Sequence, residues 1–517
     1  MSLIKIIFTV FVICAFLPST GHPKTNAPSE QNLVSIPVEE VMDKIRGGLL
    51  GQILGNLNGI PHENKYHDEP GQVNNYTPWL PDGARTDDDT DFEWVYIYEI
   101  QKNRNALLSP EFITNFWKER INAKIWCSNR FVRHLMDIGM QPPQTGYTVF
   151  NPWAEFNISG QFLCETFGLL APGMPRTAAN IGLNYTSVAI NNEPAQTTQL
   201  FTTMIATAFL EKDVYKILDA GSAALDKNST ILTIIEDIRK WHQQYPDDWE
   251  MTRRLLRDKY TQEGGSMRDW NGYELNTGAI IASLLYGKGD FAETLKLAFN
   301  YGWDADCNAA TVGTIVGTIY GYKKMMNHNN PLNPEWQIVD RYKNTTRENM
   351  PEDETITSFA DRLIEIFEMV NEQNGGEKTL ENNKMVYRIP VEQPVPVLKL
   401  LSDEEQKNTL IKEYQQDIRN NLSSKIREER AKAAYMAVCL GLDENLAKSN
   451  PKGWKAACYD LSGYWKIMNN VYFGDFKGLH ELRRKFESAG FKTPQQRYSD
   501  EMLYNDFEVW KDPESLY

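Results

Sequence analysis

Residues 47–59 read Gly47-Gly48-Leu49-Leu50-Gly51-Gln52-Ile53-Leu54-Gly55-Asn56-Leu57-Asn58-Gly59. In a helix, Gly47, Gly51, Gly55 and Gly59 share one face, with Leu50, Ile53, Leu54 and Leu57 as apolar flanks. Four interior glycines cost roughly 3–4 kcal/mol relative to alanine, which is tolerable only where another backbone comes close. A second stripe of the same kind, Gly313, Gly317 and Gly321, lies far along the chain, and Ala309, Ala310, Thr314 and Thr318 keep its neighbouring faces slim. Paired packing of these two segments predicts an all-α, multi-helical fold. A membrane origin for the stripes is excluded, because no stretch after the N-terminus approaches the roughly 18 consecutive apolar residues of a spanning helix.

Two clusters of acids accompany the stripes. Asp87-Asp88-Asp89-Thr90 precedes Phe92, Trp94 and Val95, and Asp304-Ala305-Asp306-Cys307 opens the second stripe. Adjacent carboxylates at a helix start gain from its positive end, with Thr90 as a hydroxyl ligand or cap, and for the triplet alone capping and solvation are the commoner roles. The remote Asp304 and Asp306 change that reading, since two packed helices would deliver both acid clusters to one concavity. Carboxylates crowd inside a large domain only when something positive neutralises them, and oxygen-rich sets favour hard cations such as magnesium.

Composition bounds the rest. The chain has 517 residues, 41% hydrophobic and 24% charged, enough for a large core. A net charge of −15 without any long basic tract argues against a nucleic acid polymer as partner. Lys5, the apolar run 6–17 and the Pro18-Ser19-Thr20-Gly21 break predict a signal peptide over residues 1–20, hence a secreted or periplasmic protein without stable membrane insertion. Beyond Cys14, the cysteines Cys127, Cys164, Cys307, Cys439 and Cys458 form no close pair of the zinc-knuckle or redox kind, so metal chemistry must lean on oxygen. Sequons stand at Asn75, Asn157, Asn184, Asn228, Asn344 and Asn421. Helical periodicity at 200–210, 214–225, 277–285 and 291–300 supports a catalytic domain over 38–372. Gly375-Gly376 and Pro390, Pro394 and Pro396 predict a linker over 373–398, followed by a helical C-terminal extension over 399–517.

With these motifs in view, the chain resembles the ADP-ribosylglycohydrolase family, including the dinitrogenase-reductase-activating glycohydrolases. In that family a glycine-striped helix ends in a Gly-x-Pro-x-Glu-like turn, matched by Gly59-Ile60-Pro61-His62-Glu63. A Thr-Asp-Asp-Thr motif opens a later helix, and a Gly-x-Asp-x-Asp-Thr motif leads into the second stripe, matched by Gly302-Trp303-Asp304-Ala305-Asp306-Cys307. Asn333-Pro334-Glu335-Trp336 resembles the family's usual ending. The register Asp87-Asp88-Asp89-Thr90 is preferred over Thr86-Asp87-Asp88-Asp89 because it puts Phe92 where an apolar residue is common. The resemblance then implies metal positions at Asp87, Asp88, Asp89, Asp304, Asp306 and Cys307, with Asp87 and Cys307 standing where threonines are usual. These departures leave open a two-metal site of altered geometry, a single metal, or manganese in place of magnesium.

The resemblance also implies hydrolysis of an N- or O-glycosidic bond at the anomeric carbon of ADP-ribose, assisted by one or two Mg2+ ions (Mn2+ as an alternative). Its catalytic residues would be Glu63, Asp88 and Asp89, and its substrate small-molecule or protein-linked ADP-ribose or another glycoside. His62 reads as a residue of the entrance or helix cap and not a nucleophile. Trp303, Arg176 and the set Trp79, Trp94, Trp126 and Trp153 include candidate substrate contacts, each with a core or surface role as the plainer reading. Two alternatives stand beside this one: an exported glycoside or nucleoside hydrolase, and a noncatalytic sugar-binding protein.

Overall fold

A computed structural model describes residues 32–328, 335–464, 466–467 and 476–491. The segment 1–20 read from sequence as a signal peptide, Asn333-Pro334 and the C-terminal residues from 492 onward lie outside them. The chain is predominantly helical, with no closed sheet among the described residues, as the paired stripes predict.

The helix Val38–Gly59 is buried almost throughout from Lys44 onward. It lies along the helix Ala305–Tyr320, and the glycines explain how closely. A Cβ on Gly51 would fall on the Gly313 carbonyl, one on Gly55 on the Ala309 carbonyl, and one on Gly47 on the Gly317 carbonyl 2.5 Å away. The relation is mutual, since Gly313 and Gly317 sit against the carbonyls of Gly51 and Gly47. At the end of the stripe Gly59 rests on the backbone of Asp306. The contact that removes side chains from the helix interface therefore also seats an acid of the second cluster.

Around this pair, helices including Asp88–Asn103, Asn192–Ala208, Tyr273–Gly287, Phe291–Tyr301 and Ile356–Gln373 enclose one large apolar cluster. Several begin at Asp or Ser residues whose side chains accept from the first turn, among them Asp290, Ser229 and Asp213. The helix Tyr273–Gly287 is buried on every face.

The segment 373–398, read from sequence as a linker, is in part ordered sheet. Strands Glu377–Glu381 and Lys384–Pro390 form a hairpin whose second strand pairs antiparallel with Leu33–Pro37, just ahead of the glycine helix. Its tip is Asn382-Asn383, both at positive φ (49° and 61°), a conformation in which Asn is among the better tolerated residues. Glycine and proline counts flagged the break but could not reveal a strand partner some 350 residues away. Beyond the hairpin, helices Asp403–Asn421, Arg427–Leu440, Pro451–Ser462 and Lys477–Ser488 gather around a second apolar cluster. None of the five described cysteines forms a disulfide with another of them.

Candidate metal centre

The first acid cluster is held at a helix start without serving as its cap. Asp87 is the N-cap of Asp88–Asn103, yet its side chain makes no capping hydrogen bond. Instead Asn56 Nδ2, from the glycine helix, donates to Asp87 Oδ2 and Asp89 Oδ2, both at 3.0 Å. Gln52, one turn earlier, donates to the Asp89 carbonyl at 3.1 Å and to Glu93 Oε2 at 2.6 Å. Arg85 Nη1 reaches Asp87 Oδ1 at 3.3 Å. Asp304 likewise begins the helix Ala305–Tyr320 without capping it. Its amide donates to Asn276 Oδ1 at 3.2 Å, and Asn308 Nδ2 donates to the same oxygen at 2.8 Å. Glu63 follows the short turn Ile60–His62, where the Asn64 amide donates to the Trp303 carbonyl at 3.0 Å, tying that turn to the residue before Asp304.

These supports converge two sets of carboxylates. Oxygens of Glu63, Asp304 and Asp306 lie within 4.8 Å of one another, and so do oxygens of Asp87, Asp89 and Asp306. Asp306 belongs to both. Its Oδ1 is buried with no hydrogen-bond partner, an orphaned charge-bearing atom of the kind a cation satisfies. Burial first, then repulsion from Asp304, Glu63 and Asp87, pushes the Asp306 carboxyl well above its ordinary value. Asp89 is raised by burial and then by Asp306, Asp304 by burial and then by Glu63, and Glu63 by burial and then by Asp87. Two helix N-termini point their positive ends at the same place but do not offset this crowding. A donor set made wholly of carboxylate oxygens fits a hard divalent cation, and two sets hinged on one aspartate fit a pair.

Two expected metal positions fall outside both sets. Cys307 is fully buried as a member of the main apolar cluster and belongs to neither carboxylate set. Asp88 lines the cavity above the acids but belongs to neither set, because successive residues in the first helical turn point in different directions. Asp87, placed from sequence where a threonine is usual, is the one that joins Asp89.

The acids form the floor of a cavity of about 730 Å³. Its walls carry Lys124, Trp126, Asn129, Asn157, Met267, Trp270, Asn271, Thr345 and Thr346. Of the tryptophans singled out from sequence, Trp126 lines the cavity and is 47% exposed. Trp94 is buried and donates to Glu354, Trp153 is buried in the second cluster, and Trp79 is exposed away from the cavity. Trp303 is buried beneath the Arg253 guanidinium, 4.5 Å from its ring centre. Arg176 pairs on the surface with Glu392 at 3.5 Å, and His62 stacks on Phe299, off the cavity. Asn157 is 3% exposed, too buried for its sequon to be used in the folded chain.

Sequence reading missed the polar partners. Gln52 and Asn56 stand four apart in the otherwise apolar stretch 47–57, and that spacing was the signal that would have found them. Arg347 carried no local signal. Its guanidinium, fully buried, pairs with Asp91 at 2.7 Å and donates to the Ala123 and Lys124 carbonyls at 2.6 and 3.2 Å. Glu93 and Glu165 are a further buried pair below the floor, each 0% exposed. Burial lifts Glu165 to about 8, and burial then Glu165 lift Glu93. A carboxyl raised on folding holds its proton longer in the native state, so its destabilising effect is absent below the unfolded value near 4.5 and grows as pH rises toward about 8. Glu165→Gln is therefore expected to raise stability by about 1–3 kcal/mol at pH 8 and by little at pH 5. Urea unfolding at the two pH values checks this, and an equal effect at both would contradict it.

The fold and the site together define a helical protein with a buried carboxylate centre that could hold divalent cations. The chain belongs to the ADP-ribosylglycohydrolase family: the family model so described matches residues 37–373, leaving the second helical cluster largely outside. No curated protein matches the chain. A solved structure described as an ADP-ribosylglycohydrolase-related protein complex is similar at 13% identity and a TM-score of 0.39, over 64% of this chain and 99% of that one.

Proposed function

We propose that this protein hydrolyses a glycosidic bond to ribose in a divalent-metal-dependent reaction, most simply releasing ADP-ribose from a small molecule or a protein, with Mg2+ or Mn2+ as the ion. The observation that carries this reading is Asp306, shared by both carboxylate sets with one oxygen unpartnered. Glu63 with Asp304 and Asp306, and Asp87 with Asp89 and Asp306, would hold the ions. Bound there, a divalent cation lowers the pKa of a coordinated water and orients sugar hydroxyls. Asn56 fixes two of the carboxylates so that they need not reorganise when charge develops. Asp88, facing the cavity outside both sets, is placed to orient the attacking water or to exchange a proton with the leaving group. Trp126 and Trp270 supply apolar faces, and Asn129, Asn157 and Asn271 supply amides, a combination suited to a sugar with an aromatic or polar substituent.

The N-terminal segment read as a signal peptide favours an extracytoplasmic site of action, where glycosides other than ADP-ribose conjugates are available. A release assay across ADP-ribosyl-arginine, ADP-ribosyl-serine, nucleosides and small glycans, each with chelator and with added Mg2+ or Mn2+, tests the substrate and the metal together. We expect release of ADP-ribose from at least one conjugate, reduced by about 100-fold or more on chelation. Release from glycans alone would replace the ADP-ribose assignment, and full turnover after exhaustive chelation would remove the metal from the mechanism.

A further inference from the structure

The two sides of the cavity differ in what supports them: only the wall draws on the second apolar cluster. Beneath the acid floor lies the larger apolar cluster, with Leu50, Ile53, Phe92, Val95, Val312 and Ile315. The facing wall carries Trp126, Cys127, Asn129 and Asn157, and the segments that bear it straddle both clusters: Ile125, Val132, Met136 and Ile158 join the larger one, while other side chains of the same segments turn into the second. Cys127, Phe131, Leu135, Phe150, Trp153 and Phe156 there meet C-terminal residues such as Tyr435, Phe476 and Phe486.

The contacts across that junction are specific. Phe476 packs edge-on against Trp153 and Phe156, with ring centres 4.7 and 5.2 Å apart. Tyr435 Oη donates to the Phe150 carbonyl, and Lys432 Nζ donates to the Gly139 carbonyl at 3.0 Å. Phe156 passes the support on to the opposite rim. Its carbonyl accepts from the Tyr273 amide at 2.9 Å, Asn157 bridges to Gly272, and the Arg268 guanidinium lies 5.2 Å from the Phe156 ring centre. Met267, Trp270 and Asn271 in that turn line the cavity. No carboxylate of the two metal sets sits on an element that contributes to the second cluster.

We propose that the C-terminal extension is a working part of the substrate cavity: it fixes the wall bearing Trp126, Asn129 and Asn157 through Phe476 as a positioning residue, and leaves the metal floor to the glycine-helix core. The group attached to the sugar is then held by a surface whose geometry is set from outside the family-matched region. Only the kinetic consequence of this rests on the glycoside-hydrolase reading.

The full-length Phe476→Ala and Phe476→Leu variants test it. Amide hydrogen exchange in Phe476→Ala should quicken about 10-fold at residues 124–131 and 150–158 and remain as in the wild type at 47–55 and 305–318. Mn2+ affinity by calorimetry should stay within about twofold. With whichever glycoside the wild type cleaves in the release assay, KM should rise about 5–10-fold and kcat stay within about threefold. Phe476→Leu should restore most of both changes. Unchanged exchange at the wall, equal loosening of wall and floor, a loss of Mn2+ affinity alongside, or a loosened wall with unchanged KM would each overturn the proposal. Should the wild type cleave none of the glycosides, the functional reading fails, while exchange and Mn2+ affinity still decide this one.

Discussion

Asp306→Asn is expected to lower divalent-dependent turnover on the order of 10³-fold, because it removes a charge common to both carboxylate sets. The same substitution should leave the metal-free protein as stable as the wild type or more so by about 1 kcal/mol. Without a cation, the Asp306 carboxylate is buried, orphaned on one oxygen and repelled by Asp304, Glu63 and Asp87. A neutral amide of the same shape relieves that repulsion. Loss of function with unimpaired folding is the signature of a site whose acids are retained against their own electrostatics. The measurements are Mn2+ binding by calorimetry, turnover in the release assay, and thermal unfolding under chelation. Asp88→Asn makes the contrast: it lies outside both sets, so Mn2+ affinity should fall far less than in Asp306→Asn while kcat still drops. Divalent-stimulated turnover that survives in Asp306→Asn would refute the shared-ligand geometry.

The second large effect concerns the backbone contact itself. Gly51→Val is expected to destabilise the protein by about 3 kcal/mol or more, since its Cβ would occupy the position of the Gly313 carbonyl and the crowded atoms are main chain. Gly51→Ala should also destabilise, by less. Helix propensity predicts the opposite sign, a gain of about 1 kcal/mol for alanine over glycine. A rise in the unfolding midpoint of Gly51→Ala would therefore show that the two helices do not meet as described. Because Gly59, at the end of the same stripe, seats Asp306, Gly59→Ala should weaken Mn2+ binding as well as the fold.

The stripes and the acids were legible in the chain because both are periodic or clustered signals that local chemistry explains. Repeated glycines at the spacing of a helix face have few uses apart from close packing, so the all-α class and the pairing of residues 47–59 with 313–321 followed from sequence. That the acids of residues 87–89 and 304–306 approach one another was expected from the packed stripes, but only 304–306 open a striped helix; 87–89 start a separate helix and are tied to the glycine helix by Asn56 and Gln52. A hard-cation chemistry followed from the absence of clustered sulfur or imidazole. Which acids face one another did not follow. Asp87 and Asp89 join Asp306 in one close set while Asp88 lines the cavity outside both sets, an outcome set by the direction each side chain takes in the first helical turn and by Asn56 holding two of the three. Cys307 sits where the motif expects a hydroxyl ligand, and only packing sends it into the core.

Everything that joins remote segments belonged to the tertiary structure. The hairpin at 377–390 was hidden because its outer strand partner, Leu33–Pro37, lies at the other end of the domain. The Arg347 strut to Asp91 and the loop at 123–124 is a single residue with no local pattern. The support of the cavity wall by the C-terminal helices runs through Phe476 meeting Trp153 and Phe156 across more than 300 residues. The sequence alone thus determined the helical class, the pair of packed stripes and the oxygen character of the site, because these arise from periodicity and residue chemistry. The tertiary structure decided which carboxylates converge, which tryptophan faces the cavity and what holds its wall, because those depend on side-chain direction and on contacts between segments that no local pattern links.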